Sequence, residues 1–161
     1  KAYFQRFKNI WHHGDYAEVK KSGGYIIYGR SDATLNPGGV RLGTAEIYSE
    51  VEKFKQVKES IAVGQSWDND IRIILFVILN KGYDLNNDLV KKIKKQIRIN
   101  ASPRHVPEKI VSVTDIPRTK NGKIVELAVK NTIEGNKIKN KEALANPEIL
   151  KEYVNIKELN D

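Results

Sequence analysis

The apolar run IRIILFVIL at residues 71–79 constrains the fold of this chain more than any other feature. Its composition is that of a buried strand, and the preceding run SIAVGQSW at residues 60–67 is also typical of a strand. Asp68, Asn69 and Asp70 lie between the two runs and have the composition of a turn. We therefore predict that the two runs pair antiparallel in a buried sheet.

Helices are predicted before and after this strand pair. Thr44 precedes AEIYSEVEKF, where apolar residues recur at helical spacing and acidic residues occupy the first turn. Asn87-Asp88 is expected to cap a second amphipathic helix, LVKKIKKQIRI at residues 89–99. A third strand at residues 109–113 and a short helix at residues 125–133 complete the order αββαβα. The predicted fold class is therefore α+β, with a small mixed sheet flanked by helices.

The two ends of the chain differ from this central region. Residues 1–31 are predicted to form a β-hairpin, because a Lys-Ser-Gly-Gly turn separates two strand-like segments. A lone hairpin of this kind has too little apolar area to be stable by itself. The absence of methionine is also what we expect of a piece of a longer protein. Residues 135–161 are polar and are predicted to form a C-terminal extension with a short helix near residues 147–153.

Composition excludes several classes of partner and site. The formal net charge of +8 favours anionic partners, but the lysines are spread over most of the chain and alternate with glutamates, as on a solvated surface. There is no cysteine, and the three histidines lack an acidic cluster at metal-ligand spacing, so no metal site is predicted. The longest apolar run contains Arg72 and is shorter than the roughly 18–20 residues of a membrane span. We expect no membrane association and a cytoplasmic location.

Three short motifs carry the chemistry. GRSDATLNPGGVRLGTAEI at residues 29–47 places two arginines, an aspartate and a Gly-Gly turn close together, and PRTKNGKI at residues 117–124 presents a lysine after a flexible Asn-Gly pair. The second motif is not a phosphate-binding P-loop, because Pro117 replaces its first glycine and Ile124 its Ser or Thr. With HHGD at residues 12–15, these motifs make the chain resemble the C-terminal part of the adenylate-forming acyl-CoA synthetases.

The resemblance extends from about residue 3 to about residue 134 and implies a domain organisation. Residues 1–31 would be the terminal β-hairpin of an N-terminal large domain of the same chain. Residues 32–134 would be a mobile C-terminal lid domain, and residues 135–161 a polar extension. Asp32 would be the hinge, whose backbone torsions absorb the rotation of the lid.

The same resemblance implies roles for individual side chains. Lys123 would be catalytic, because its ammonium would stabilise the negative charge that develops when a carboxylate attacks the α-phosphorus of ATP. Asp15 would accept hydrogen bonds from the ribose hydroxyls, and Arg30 would contact the nucleotide. The other implied cofactor-binding positions are two glycines of a loop that lines the CoA tunnel and two basic residues near phosphate, namely Gly38, Gly39, Arg41 and Lys94.

The implied reaction has two steps joined by a rotation of the lid. A short acyl acid reacts with ATP and Mg²⁺ to give an acyl-AMP and diphosphate, and CoA then takes the acyl group while AMP leaves. The segments WHHGD, GRSDATLNPGGVR and SPRHVP most resemble the corresponding sequences of the family members that act on acetoacetate. ATP, AMP and Mg²⁺ would bind mainly to the N-terminal domain, so residues 1–161 alone are expected to be inactive.

Two alternatives remain open at the level of sequence. Acetyl- and propionyl-CoA synthetases also resemble this chain through GRSD and GGVR, and the residues of the acyl pocket would discriminate between them. A basic anion- or RNA-binding α+β module would need an aromatic stacking surface beside its basic patch. Trp11, Tyr25 and Tyr28 lie in the hairpin, far along the chain from the basic helix. We therefore expect no nucleic-acid partner.

Overall fold

A two-stranded antiparallel hairpin is followed by a three-stranded mixed sheet. The computed structural model describes residues 7–138 and 140–161, so residues 1–6 of the predicted hairpin segment and Lys139 of the extension lie outside the described residues. The strands are β1 Asp15–Val19, β2 Tyr25–Arg30, β3 Val57–Trp67, β4 Asp70–Leu79 and β5 Lys109–Ser112. The α-helices are α1 Thr44–Val51, α2 Asn87–Asn100 and α3 Glu126–Ile133. This architecture confirms the predicted α+β class with a small mixed sheet.

The two strand runs predicted from the sequence form β3 and β4, which pair antiparallel as expected. β3 begins at Val57, earlier than the run that predicted it. Asp68 and Asn69 turn the chain with φ values of 46° and 60°, the left-handed conformation that tight hairpin turns favour. β5 pairs with β4 in the parallel direction, which makes the sheet mixed.

The sheet is buried on both faces, which explains the nearly unbroken apolar composition of β4. Ile73, Leu75 and Val77 point to one face and pack against buried residues of α1 and α2. The alternate residues point to the other face, where they pack against α3 and the C-terminal extension; these are Ile74, Phe76 and Ile78. One sequence run thus supplies both halves of the core.

Arg72 interrupts this run and is itself buried, with 9% of its surface exposed. Its guanidinium lies 3.7 Å from the centre of the Trp67 ring. It donates hydrogen bonds to Oε1 of Gln65 (2.9 Å) and to the carbonyl oxygens of Leu159 (2.5 Å) and Asp161 (2.7 Å). A buried cation is tolerated when its donors are satisfied in this way. Arg72 therefore holds the end of the extension against the sheet.

Both predicted helix starts are wrong by about one residue. α1 begins at Thr44, with Gly43 at the N-cap position and no capping side chain, so Thr44 lies inside the helix. α2 is capped by Asn86, whose side chain accepts a hydrogen bond from the amide of Leu89 (2.9 Å), and not by Asn87-Asp88. Neighbouring polar residues offer similar capping groups, and the backbone conformation decides which of them is used.

The C-terminal extension packs against the sheet despite its polar composition. It contains short 3-10 helices at Lys141–Ala143, Pro147–Tyr153 and Lys157–Leu159. The second lies where a short helix was predicted. Tyr153 is fully buried, and its ring centre lies 4.9 Å from that of Phe76 in an edge-to-face arrangement. Its hydroxyl donates to the carbonyl oxygen of Asp115 at 2.8 Å. The extension is therefore part of the core.

Replacing Tyr153 with Ala should lower the free energy of unfolding of the 161-residue chain by about 3–5 kcal/mol, because it removes a buried aromatic side chain. Chemical denaturation measures this change. Tyr83→Ala is the matched control, since Tyr83 is 40% exposed, and its effect should stay within about 0.5 kcal/mol. Equally small effects of both substitutions would contradict the packing of the extension on the sheet.

Candidate functional site

Three predicted site residues meet at the end of β2. Arg30 is the last residue of that strand, and its guanidinium donates to the carbonyl oxygen of His13 (2.9 Å) and to Oδ1 of Asp15 (3.4 Å). Its Nε lies 3.4 Å from Oδ1 of Asp32. His13 also contacts the second carboxylate oxygen of Asp15 through Nδ1. The structure therefore brings Asp15, Arg30 and Asp32 together in one partly exposed cluster.

The segment that follows β2 is a short turn with local hydrogen bonds. The amide of Ala33 donates to the carbonyl oxygen of Arg30 (3.2 Å), and the hydroxyl of Thr34 lies within hydrogen-bond distance of the carbonyl oxygens of Arg30 and Ser31 (3.1 and 3.2 Å). The side chain of Asp32 is 49% exposed. A turn of this kind can change its torsions without disrupting a core, as a hinge requires. The hinge role of Asp32 stays a prediction.

The backbone of β2 lies directly against the start of α1. A Cβ atom on Gly43 would lie only 2.3 Å from the carbonyl oxygen of Tyr28, so a larger residue does not fit there. This contact joins the hairpin to the first helix of the predicted lid. A rotation about the turn at residues 30–34 would have to separate Tyr28 from Gly43, so the structure represents one of the two orientations that such a hinge would connect.

The Gly-Gly loop is anchored to the three-stranded sheet. Gly38 and Gly39 lie in the 3-10 turn Pro37–Gly39 and have φ values of 56° and 75°, which favour glycine. The amide of Gly38 donates to both carboxylate oxygens of Asp70, at 3.0 Å each. This loop would therefore move with the sheet during a rotation of the lid. Its predicted approach to CoA stays a prediction.

Arg41 follows this loop and faces the hairpin. Its guanidinium lies 5.7 Å from the centre of the Tyr16 ring, and both residues line an open cleft of about 430 Å³. His105 also lines this cleft, where its ring nitrogens contact Oγ of Ser102 (2.8 Å) and Oε2 of Glu46 (3.1 Å). Arg41 is exposed and has the donor geometry that phosphate recognition uses. Its contact with phosphate stays a prediction.

Lys123 lies at the exposed end of a loop that is closed by hydrogen bonds within the loop. The amide of Thr119 donates to the carbonyl oxygen of Lys123 (2.8 Å), and the amide of Lys123 donates back to Oγ1 of Thr119 (3.2 Å). At the base, the amide of Val125 donates to the carbonyl oxygen of Pro117 (3.1 Å). The amide of Gly122 donates to the carbonyl oxygen of Thr119 (2.8 Å), which makes the Asn-Gly pair part of a closed turn. The flexibility expected of this pair stays a prediction.

Glu126 lies between this loop and the turn at residues 30–34, and no sequence motif indicated it. Glu126 begins α3 directly after the lysine loop and lines a cleft of about 240 Å³ together with Asp32, Thr34 and Lys130. Burial raises the pKa of Glu126, and the nearby carboxylate of Asp32 acts in the same direction. Oε1 of Glu126 accepts a hydrogen bond from the hydroxyl of Tyr48 at 3.3 Å, which opposes this shift. The only signal in the sequence was its position in the turn after Lys123.

Replacing Glu126 with Gln should stabilise the 161-residue chain at neutral pH, with an advantage that disappears in acid. The folded state raises the pKa of this carboxyl above its ordinary 4.5, so ionisation weakens folding as the pH rises through the folded-state pKa. Glutamine removes this penalty. Thermal unfolding across the acid range measures the difference, with the exposed Glu142→Gln as a control for net charge. A difference that is the same at every pH would contradict the assignment.

Lys94 lies on α2, and its Nζ donates to the carbonyl oxygen of Glu108 at 2.8 Å. Because Glu108 immediately precedes β5, this bond links the helix to the sheet. The structure thus joins Lys94 to the end of the sheet rather than to the cluster at the end of β2. Its ammonium has further donors for a phosphate. The predicted contact with CoA stays a prediction.

Residues 7–138 and 140–161 contain no group of three or more His, Cys, Asp or Glu side chains that could hold a metal ion. No helix within these ranges is long and apolar enough to cross a membrane.

The chain is similar to known proteins over nearly all of its length. Residues 46–123 match the family model of the AMP-binding enzyme C-terminal domain. The chain is 58% identical to the acetoacetyl-coenzyme A synthetase of Rhizobium meliloti (strain 1021) in an alignment of 158 positions. It is 47% identical to the acetoacetyl-CoA synthetase of Mus musculus in an alignment of 163 positions, gaps included. These alignments cover 98% and 100% of this chain, but 24% of each relative.

A solved structure is also similar to nearly all of this chain. The acetoacetyl-CoA synthetase from Streptomyces lividans superposes on this chain with a TM-score of 0.84 at 37% sequence identity. The superposition covers 94% of this chain and 23% of that protein. The chain therefore spans about a quarter of the length of the relatives that it matches.

Proposed function

Because this chain belongs to the adenylate-forming enzymes through its AMP-binding enzyme C-terminal domain, we propose that it is the lid of a ligase that joins acetoacetate to CoA. The reaction consumes ATP and releases AMP and diphosphate, with acetoacetyl-AMP as the intermediate. In this proposal only residues 32–134 form the lid itself, while residues 1–31 complete the N-terminal large domain, Asp32 is the pivot and residues 135–161 are an extension. Residues 1–161 alone have no activity, because the acyl pocket lies elsewhere in the ligase.

The single observation that carries this proposal is the geometry of the Lys123 loop. A closed backbone turn presents the exposed ammonium of Lys123 on an α+β unit, which is joined to the hairpin by the short turn at residues 30–34. A lysine held in this way can enter a site when the unit rotates in one direction and leave it when the unit rotates back. In the site, Lys123 would stabilise the charge that develops between the attacking carboxylate and the α-phosphate.

The cluster at the end of β2 supplies the nucleotide contacts in this proposal. Asp15 would exchange its contact with His13 for the ribose hydroxyls, while Arg30 would hold the Asp15 carboxylate in place and reach the nucleotide with its remaining donors. After the rotation, the loop at Gly38 and Gly39 would line the path of CoA, with Arg41 and Lys94 near its phosphates.

Exposed apolar residues on the hairpin support a partner domain in the same ligase. Val19, Tyr25 and Ile27 are each more than half exposed, with exposed fractions of 64%, 71% and 54%. Clustered apolar surface of this kind usually marks an interaction site. We propose that the large domain covers it, and that the ligase acts in the cytoplasm.

Mg²⁺ accompanies ATP in the proposed reaction, and we propose that the N-terminal domain of the ligase mainly binds it.

Diphosphate release by the full-length ligase, with ATP, Mg²⁺ and CoA, tests the proposal when acetoacetate, acetate, propionate and butyrate are offered in parallel. We expect a clear preference for acetoacetate. Preference for acetate or propionate would keep the lid and correct the substrate. Failure to release diphosphate with any of the four acids would overturn the proposed function.

A further inference from the structure

We propose that the C-terminal extension positions the Lys123 loop for catalysis, with Asn146 as the main positioning residue. This inference rests on the proposed function, because it assigns the extension a role in the adenylation step. It concerns the part of the chain for which the sequence indicated no role.

The extension pairs with the lysine loop through the backbone. Leu144 and Thr119 form an antiparallel bridge. The amide of Ala145 donates to the carbonyl oxygen of Arg118 at 2.8 Å, and the amide of Lys120 donates to the carbonyl oxygen of Ala143 at 3.3 Å. The first part of the loop is therefore paired with residues 143–145 of the extension.

Asn146 binds residues 115–118, which lead into the loop, through both the oxygen and the nitrogen of its side-chain amide. Its Oδ1 accepts a hydrogen bond from the amide of Arg118 at 2.9 Å. Its Nδ2 donates to Oδ2 of Asp115 (2.7 Å) and to the carbonyl oxygen of Ile116 (3.0 Å). One side chain thus spans the segment from Asp115 to Arg118, immediately before the turn that presents Lys123.

Arg118 transmits this restraint to Lys123. Its amide and carbonyl are both used by the extension, while its guanidinium forms an ion pair with Glu59 of β3. Arg118 also bridges to Ile124, the residue after Lys123. A shift of Arg118 would therefore move the backbone of Lys123, and misplacement of a catalytic group by about 1 Å can lower a rate roughly 100-fold.

The extension is in turn fixed to the core, so it can act as a rigid support. Leu144 and Leu150 are buried in a cluster with Ala128 of α3. Tyr153 is buried on the sheet and donates to the carbonyl oxygen of Asp115. These contacts connect the lysine loop, through the extension, to the same sheet that carries the Gly-Gly loop.

Asn146→Ala in the full-length ligase tests this role against a general loss of stability. We expect the kcat of acetoacetate-dependent ATP-diphosphate exchange to fall roughly 10- to 100-fold. Thioester formation from supplied acetoacetyl-AMP and CoA should change less than about twofold, because the proposal withdraws Lys123 from the site in that step. Hydrogen exchange at the amides of Thr119, Gly122 and Lys123 should become faster.

Glu152→Gln is the matched control. Glu152 also joins the extension to the lid, through the amide (2.9 Å) and hydroxyl of Thr114, but its contacts lie outside the lysine loop. We expect it to leave both half-reactions and the exchange of the loop amides near wild type.

Equal loss of both half-reactions in Asn146→Ala, or full retention of adenylation, would overturn the positioning role. A wild-type ligase that is inactive in both half-reactions would instead overturn the proposed function. In that case hydrogen exchange at the loop amides still tests whether the extension holds the loop. Unchanged exchange in Asn146→Ala would then overturn the positioning role as well.

Discussion

We expect Lys123→Ala in the proposed full-length ligase to abolish acetoacetate-dependent ATP-diphosphate exchange and to leave thioester formation from supplied acetoacetyl-AMP close to wild type. We expect the rate of exchange to fall by about 10²–10³-fold or more, as on loss of one preorganised group that stabilises charge in a transition state. The ammonium is exposed on a closed loop, and only the backbone of Lys123 takes part in the hydrogen bonds given above, so its replacement should leave the fold of residues 32–134 intact.

Lys120→Ala provides the matched control for this experiment. Lys120 is also exposed on the same loop, and its backbone contact with Ala143 does not depend on its side chain. Both half-reactions should therefore remain near wild type in this variant. Equal loss of the two half-reactions in Lys123→Ala, or an equal effect of Lys120→Ala, would contradict the assigned role of Lys123.

Asp32→Pro should separate the two half-reactions. Proline fixes φ near −65° and also restricts Ser31 before it, so the turn at residues 30–34 would be held in one orientation. The half-reaction that uses this orientation should proceed at close to the normal rate, whereas the other should fall by about 10²-fold or more. The two rates are measured as diphosphate exchange and as thioester formation from supplied acetoacetyl-AMP.

Asp32→Ala controls for the loss of the side chain. It removes the contact with Arg30 at 3.4 Å but leaves the backbone torsions unrestricted. An exposed ion pair of this kind contributes little to stability. Both half-reactions should therefore survive. If Asp32→Pro also supports both half-reactions normally, the hinge lies at another residue.

The helices and strands of residues 32–134 could be predicted because each depends on local pattern. The apolar run that forms β4 and the turn at Asp68 and Asn69 are visible in any stretch of sequence that includes them, and so is the spacing of Leu89, Ile93 and Ile97 on α2. The helix starts were less accurate, because adjacent residues offer similar capping groups and the choice depends on backbone conformation.

The packing of the extension could not be predicted, because its apolar residues follow no regular period. Leu144, Leu150, Tyr153 and Leu159 are separated by polar residues and 3-10 turns, yet all four are buried. Whether such a segment is solvated or packed depends on the surface that it meets, and this surface is formed by residues far away in the sequence.

Only part of the candidate site could be predicted from local sequence patterns. Asp15, Arg30 and Asp32 were each indicated by short motifs, and the structure adds that Arg30 contacts both carboxylates. Asn146 and Glu126 belong to no motif that the sequence analysis used. Their importance rests on contacts with Arg118 and Tyr48, which lie far from them in the sequence and only the fold brings near.

Adenylate formation by the proposed ligase is tested most directly without CoA. The full-length ligase is incubated with acetoacetate, ATP and Mg²⁺, and the nucleotide products are identified by mass spectrometry. We expect acetoacetyl-AMP and diphosphate, in amounts that Lys123→Ala strongly reduces. ADP together with acetoacetyl phosphate would contradict adenylate formation, because the acid would then attack the γ-phosphate and not the α-phosphate.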